Sequence, residues 1–113
     1  MHIDVVAEKT ILWLGSSRSD LQAFTRNARR LAGFQLRLAQ QGFEPLDWKP
    51  MPSIGPGVRE MRIHTEVEHR ICYVAKFAEA IYVLHAFEKR TRKTLQHDVG
   101  LARQRYQALV AQR

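Results

Sequence analysis

The stretch from Ala80 to Thr94 carries the side chains best suited to chemistry. Its first half, Ala80 to Phe87, is almost wholly apolar, aromatic or β-branched and lacks Gly and Pro, which suits a strand buried on both faces. Its second half sets four cations, Lys89, Arg90, Arg92 and Lys93, into five residues before a helix can begin. A central strand opening into such a turn holds positive charge on a rigid support, where a polyanion could be gripped. A solvated basic turn at a sheet edge fits the same residues equally well. Two histidines flank the cations, His85 in the strand and His97 in the first turn of the following helix. Histidine exchanges protons nearest to neutral pH.

The rest of the chain has the same electrostatic sign. Its 113 residues include 18 Lys and Arg against 11 Asp and Glu. A domain this small and basic points to nucleic acid or the ribosome before a small-molecule substrate. The excess is uneven, with 11 basic and 6 acidic residues from Val58 onward and 7 and 5 before it. The single cysteine, Cys72, lies in an apolar run, so it reads as a buried hydrophobe in a reducing compartment and not as a nucleophile. One cysteine cannot build a zinc cluster of the usual spacing. Gly55-Pro56-Gly57 lacks the lysine and helix start of a phosphate loop, and no serine sits in a nucleophile elbow. No cofactor is expected. No apolar segment is long enough to span a bilayer and Met1 opens no signal-peptide pattern, so the expected location is the cytoplasm.

The length suits one domain over 1–113, with 1–9 as a loose lead-in. Thr10 to Leu14 reads as a strand ended by Gly15. Ser19 with Gln22 three residues on offers a capping box, and Leu21, Phe24, Ala28 and Leu31 fall on one helical face. Gly33 is expected to break that helix; Phe34, Leu38 and Ala39 begin a second that stops at Gly42. Four prolines between Glu44 and Gly57 exclude helix there and allow only a brief edge strand near Leu46 to Lys49. Val58 to His64, His69 to Phe77 and Ala80 to Phe87 are three strands joined by short links, hence an antiparallel meander. Val99, Ala102, Tyr106 and Leu109 stripe a last helix. The fold class is α+β: an N-terminal helical hairpin on a curved antiparallel sheet of about four strands, with a C-terminal helix.

Three segments are similar in register to the phage-derived HigB-like toxins of the RelE/ParE superfamily: Gly55 to Arg62, His69 to Tyr73, and Val83 to Thr94. The resemblance runs from about Thr10 to Leu109, and the last segment is its most specific part. It implies a RelE-like fold and the toxin of a type II toxin–antitoxin system, held by a helix-turn-helix, HigA-like antitoxin. It further implies a metal-independent endoribonuclease that cuts mRNA on the ribosome. Carried over by position, Arg70 resembles the strand arginine that contacts the scissile phosphate, with Lys89 and Lys93 in the motif that ends the last strand. Arg59, Arg62, Arg90 and Arg92 are the matching RNA- and phosphate-binding positions. Leu95 stands where relatives often have proline, and the tyrosine of RelE-type enzymes near the last helix has no counterpart; His97 is the nearest ionisable group.

Cleavage directed by ribose needs the 2′-OH deprotonated, the pentavalent phosphate stabilised and the 5′-oxygen protonated. Arg and Lys serve the second need through charge-assisted contacts. His85, His97, His64 and Tyr73 are the candidates for proton transfer. Strict alternation puts His85 on a face with Ile81, Val83 and Phe87, which fits a core histidine bonded to a carbonyl as well as it fits catalysis. His64 and His69 flank a turn and are expected in solvent, and Arg62 could pair with Glu60. Arg70→Ala is expected to fold normally. Two alternatives stay open: a ParE-like toxin that binds a protein such as gyrase, and an RNA-binding module without activity.

Overall fold

The computed structural model describes residues 8–92 and 95–113. In chain order the elements are β1 (Thr10–Trp13), α1 (Ser17–Gln22), α2 (Arg26–Gln40), β2 (Trp48–Pro50), β3 (Val58–His64), β4 (Glu68–Val74), β5 (Ala80–Lys89) and α3 (Gln96–Ala111). The strands form one open five-stranded sheet in the order β1-β5-β4-β3-β2.

The meander β3-β4-β5 is antiparallel, as short links demand, and β2 pairs antiparallel with β3 at the edge. The expected antiparallel sheet of about four strands is corrected at the other edge. There β1 lies parallel to β5, Thr10 to Trp13 opposite Ala80 to Val83, so the sheet is mixed and has five strands. Two helices separate β1 from the meander, and a connection of that length permits parallel pairing where a hairpin turn would forbid it.

The N-terminal hairpin also differs. The helices divide before Arg26, where Thr25 accepts a hydrogen bond from the backbone N–H of Ala28 at 3.3 Å and caps α2. Ser19 is inside α1, its hydroxyl donating to the Ser16 carbonyl at 2.9 Å. The pair is therefore a six-residue helix leading into one of 15 residues. Gly33 sits within α2 on its exposed side, facing open space. Its propensity cost is outweighed by burial of Ala28, Ala32, Leu36 and Ala39 on the opposite side. Of the lead-in, Lys9 is anchored and not loose. Its backbone N–H bonds Gln40 and its ammonium donates to the carbonyls of Ala75 and Phe77 at 2.7 and 2.9 Å. Residues 1–7 lie outside the described residues.

Both sheet faces are covered. Leu21 of α1, Phe24 of the link, and Ala32 and Leu36 of α2 pack on Met61, Ile71, Tyr73, Ile81 and Val83. On the other face Ala102, Tyr106 and Leu109 of α3 pack on Cys72, Val74, Tyr82 and Leu84. Coverage on two sides explains why Ala80 to Phe87 is buried without a break. The ladder shifts register once: Cys72 faces His85 while Tyr73 faces Val83, leaving Leu84 as an extra residue. Such a bulge re-aims the side chains beyond it. His85 and Phe87 therefore face α3, whereas Ile81 and Val83 face α2. No described helix is long and apolar enough to cross a membrane.

Because an alanine methyl at Gly33 would meet nothing within 4 Å, Gly33→Ala is expected to stabilise the protein by about 1 kcal/mol. Urea unfolding that shows no gain would mean α2 does not run unbroken through this position.

Candidate active site

Residues directly opposed in an antiparallel ladder share a face and lie close together. Pairing therefore assembles rows across the sheet. Lys49, Glu60, Cys72 and His85 form one row; Arg62, Arg70 and Phe87 the next; His64, Glu68 and Lys89 the third. Cys72 belongs to the cluster beneath α3, so all three rows lie on that face. Arg62, Arg70 and Lys89, far apart in sequence, are thereby brought together, with Lys49 beside them.

Arg62 directly opposite Arg70 is a repulsive pairing unless something offsets it. Two carboxylates do so in part. Glu60, 0% exposed, places Oε1 3.4 Å from Arg70 Nε and 3.9 Å from Lys49 Nζ. Glu68 Oε2 is 3.3 Å from Arg70 Nη1, which also donates to the His69 carbonyl at 3.0 Å. Lys49 and Arg70 thus share Glu60, Arg70 and His64 share Glu68, and Arg62 and Lys89 add two more charges to the same face. The imbalance is felt at Lys89, whose pKa lies below the ordinary lysine value, first through partial burial and then through the charges of Arg70, Lys49 and Arg62. The Nε of Arg62 is buried without a hydrogen-bond partner. A phosphate on this face would relieve all of these strains at once.

Other candidates are dispersed. Arg59 lies opposite Tyr73 on the α2 face, its guanidinium 4.0 Å above the Trp48 ring. Arg90 and Arg92 are exposed past the end of β5, with Arg90 3.3 Å from Glu88. Lys93 lies outside the described residues. His64 is exposed, but His69 is not: it is 2% exposed against the Phe24 ring, because the strand begins at Glu68 and points it inward. Tyr73 is fully buried, and burial raises its hydroxyl pKa, which removes it from acid–base work. Arg70 is only 5% exposed and 3.4 Å from buried Glu60, so Arg70→Ala is expected to lose stability as well as charge.

His85 is held from both sides. Its Nε2 is 2.7 Å from Asp98 Oδ1 and its Nδ1 is 3.4 Å from Arg105 Nη1. A guanidinium only donates, so Nδ1 accepts and Nε2–H faces Asp98. Arg105 also donates to the Leu84 carbonyl at 2.9 Å and to Ser16 Oγ at 3.1 Å. Its passage needs Gly15, where φ is +54° and a Cβ would collide with the guanidinium. His97 is exposed and lines a cleft of about 450 Å³ together with His85 and His69. Lys49, Asp98 and Arg105 carry no local mark of a site, and Glu60, on the same strand face as Arg62, also lies 3.4 Å from Arg70. Glu60 shares Arg62's parity along β3, the one signal available; nothing in sequence marks Lys49 as its neighbour.

Residues 19–107 match the family described as Phage derived protein Gp49-like (DUF891). The match runs from α1 into α3 and includes the whole meander. Comparison with curated proteins returns no match.

Two outcomes follow from these contacts. Glu60→Ala would remove the buried carboxylate 3.4 Å from Arg70 Nε and should cost about 3 kcal/mol in urea unfolding; a neutral result would mean Arg70 swings out to water. His64 bridges Asp47 (2.5 Å) and Glu68 (2.7 Å), and these hydrogen bonds, Asp47 first, raise its pKa above the ordinary 6.5. A raised folded pKa stabilises fully below the unfolded value and is lost as pH climbs through the folded one. His64→Gln should therefore lower Tm near about pH 5.5 and leave it unchanged near about pH 9.

Proposed function

We propose that this chain, which belongs to the phage-derived Gp49-like family of RelE/HigB-like toxins, is a metal-independent endoribonuclease that cuts ribosome-bound mRNA. The family implies an antitoxin partner, here a helix-turn-helix, HigA-like protein, and the site of action is the cytoplasm. The observation that carries the reading is the alignment of Arg62, Arg70 and Lys89 in adjacent cross-strand rows of one face.

In this mechanism the scissile phosphate sits on those three cations. The ribose 2′-OH gives up its proton and attacks the adjacent phosphorus, and the pentavalent species gains negative charge. Arg70, oriented by Glu60 and Glu68, meets that charge with a fixed guanidinium; Arg62 and Lys89 complete the cradle. Preset cations need no reorganisation at the moment of reaction, which is where their catalytic worth lies. The P–O5′ bond then breaks, the 5′-oxygen takes a proton, and a 2′,3′-cyclic phosphate is left. Proton transfer falls to His85 or His97. Both nitrogens of His85 are engaged, whereas His97 is exposed, so His97 is the readier group and His85 its fixed neighbour along the cleft. Arg90 and Arg92 extend the positive field along the RNA past the end of β5, Lys93 joins them by its place in the sequence motif, and Arg59 adds charge from the opposite face.

The test is to map RNA ends on translating ribosomes given the purified protein. Cuts within translated codons are expected, and Lys89→Gln and Arg62→Gln should each slow them on the order of 100-fold with an unchanged Tm. Intact mRNA together with inhibited gyrase would replace this reading with a ParE-like one. Binding of RNA with no cut would leave an inactive RNA-binding module.

A further inference from the structure

The cleft of about 450 Å³ opens between α1, the first turn of α3 and the half of β5 beyond its pairing with β1. Its chemistry is the reverse of the cationic face. Asp20 and Glu88 line it and, among the described residues, no Lys or Arg does, on a chain whose net charge is +7. Phe24 and Phe87 contribute ring surface, and Phe87 stacks on His85 with centroids 5.0 Å apart. His69 lines the same space and is 2% exposed.

We propose that this cleft is the anchor for an arginine side chain presented by a protein partner. A guanidinium offers five donors in one plane, so it can answer two carboxylates while its faces lie against aromatic rings. Asp20 and Glu88 disfavour a phosphate within the cleft itself, which keeps the scissile phosphate on the cationic face. Burial lowers the pKa of His69, which keeps the ring neutral and able to accept a donor. Among the described residues Glu88 is paired with Arg90, whose side chain is 80% exposed, a contact weak enough for a better-placed cation to displace. A bound arginine would cover His85 and His97, so the same partner would close the proposed route for protons. That consequence, and the choice of the antitoxin as the partner, rest on the endoribonuclease reading; the binding itself does not.

The probe is N-acetyl-arginine methylamide, titrated into the protein while histidine ring signals are followed by NMR. Saturable shifts at His69 and His97 are expected, with the neutral isostere N-acetyl-citrulline methylamide producing none. Asp20→Asn combined with Glu88→Gln should weaken the arginine response at least about fivefold, and His69→Phe should weaken it while leaving Tm within a few degrees of the parent. Equal responses to arginine and citrulline, or no saturation, would overturn the proposal. So would a mononucleotide that binds the same rings more tightly than arginine, since the cleft would then be a base site. RNA cutting is scored separately, so loss of that activity in the parent would sink the endoribonuclease reading and leave this one standing.

Discussion

A carboxylate with no exposed surface lies under two arginines that the sheet forces face to face. Glu60 makes the opposition of Arg62 and Arg70 tolerable, and it does so without balancing them. Buried ion pairs rarely add stability over a well-packed apolar alternative, so the cluster is costly for a fold of this size to keep. What it gains is orientation. Arg70 has its guanidinium fixed by Glu60, Glu68 and the His69 carbonyl, leaving little freedom to lose when an anion arrives.

The surrounding fold exists to keep that face half open. Helices α1 and α2 cover the opposite side, which makes β5 an interior strand buried on both faces. Helix α3 covers the near face from Val58, Val74 and Tyr82 as far as His85 and Phe87. The polar rows run on from there, over the stretch of sheet that has His64, Glu68 and Lys89 at its limit. Burial and access are thus divided along the strands, and one sheet serves as both core and binding surface.

The bulge at Leu84 has an effect out of proportion to its size. Without the extra residue, alternation would aim His85 into the packed α2 side, where a polar ring would need a partner from the core. With it, the ring turns to α3 and meets Asp98 and Arg105, and Arg105 in turn ties β5 to Ser16 before α1. Both helical layers are therefore linked through one histidine, and the cleft beside it is shaped by that link.

Much of this was legible from residue order. The three-strand meander, the doubly buried run from Ala80 to Phe87 and the stripe of α3 follow from periodicity and from short links, because these are local consequences of side-chain spacing. The cationic character of the second half was equally plain. Other features were settled elsewhere along the chain. Thr25 beat Gly33 as the helix boundary because burial of four residues outweighs one glycine. Gly15 makes room for Arg105, 90 positions away, a relation no local pattern encodes. Sequence determined which residues are charged and which segments are extended. Only the tertiary structure decided that Arg62, Arg70 and Lys89 share a face, that Arg59 does not, and that Glu60 serves Arg70, because strand order and a single-residue bulge set which side chains stand opposite one another.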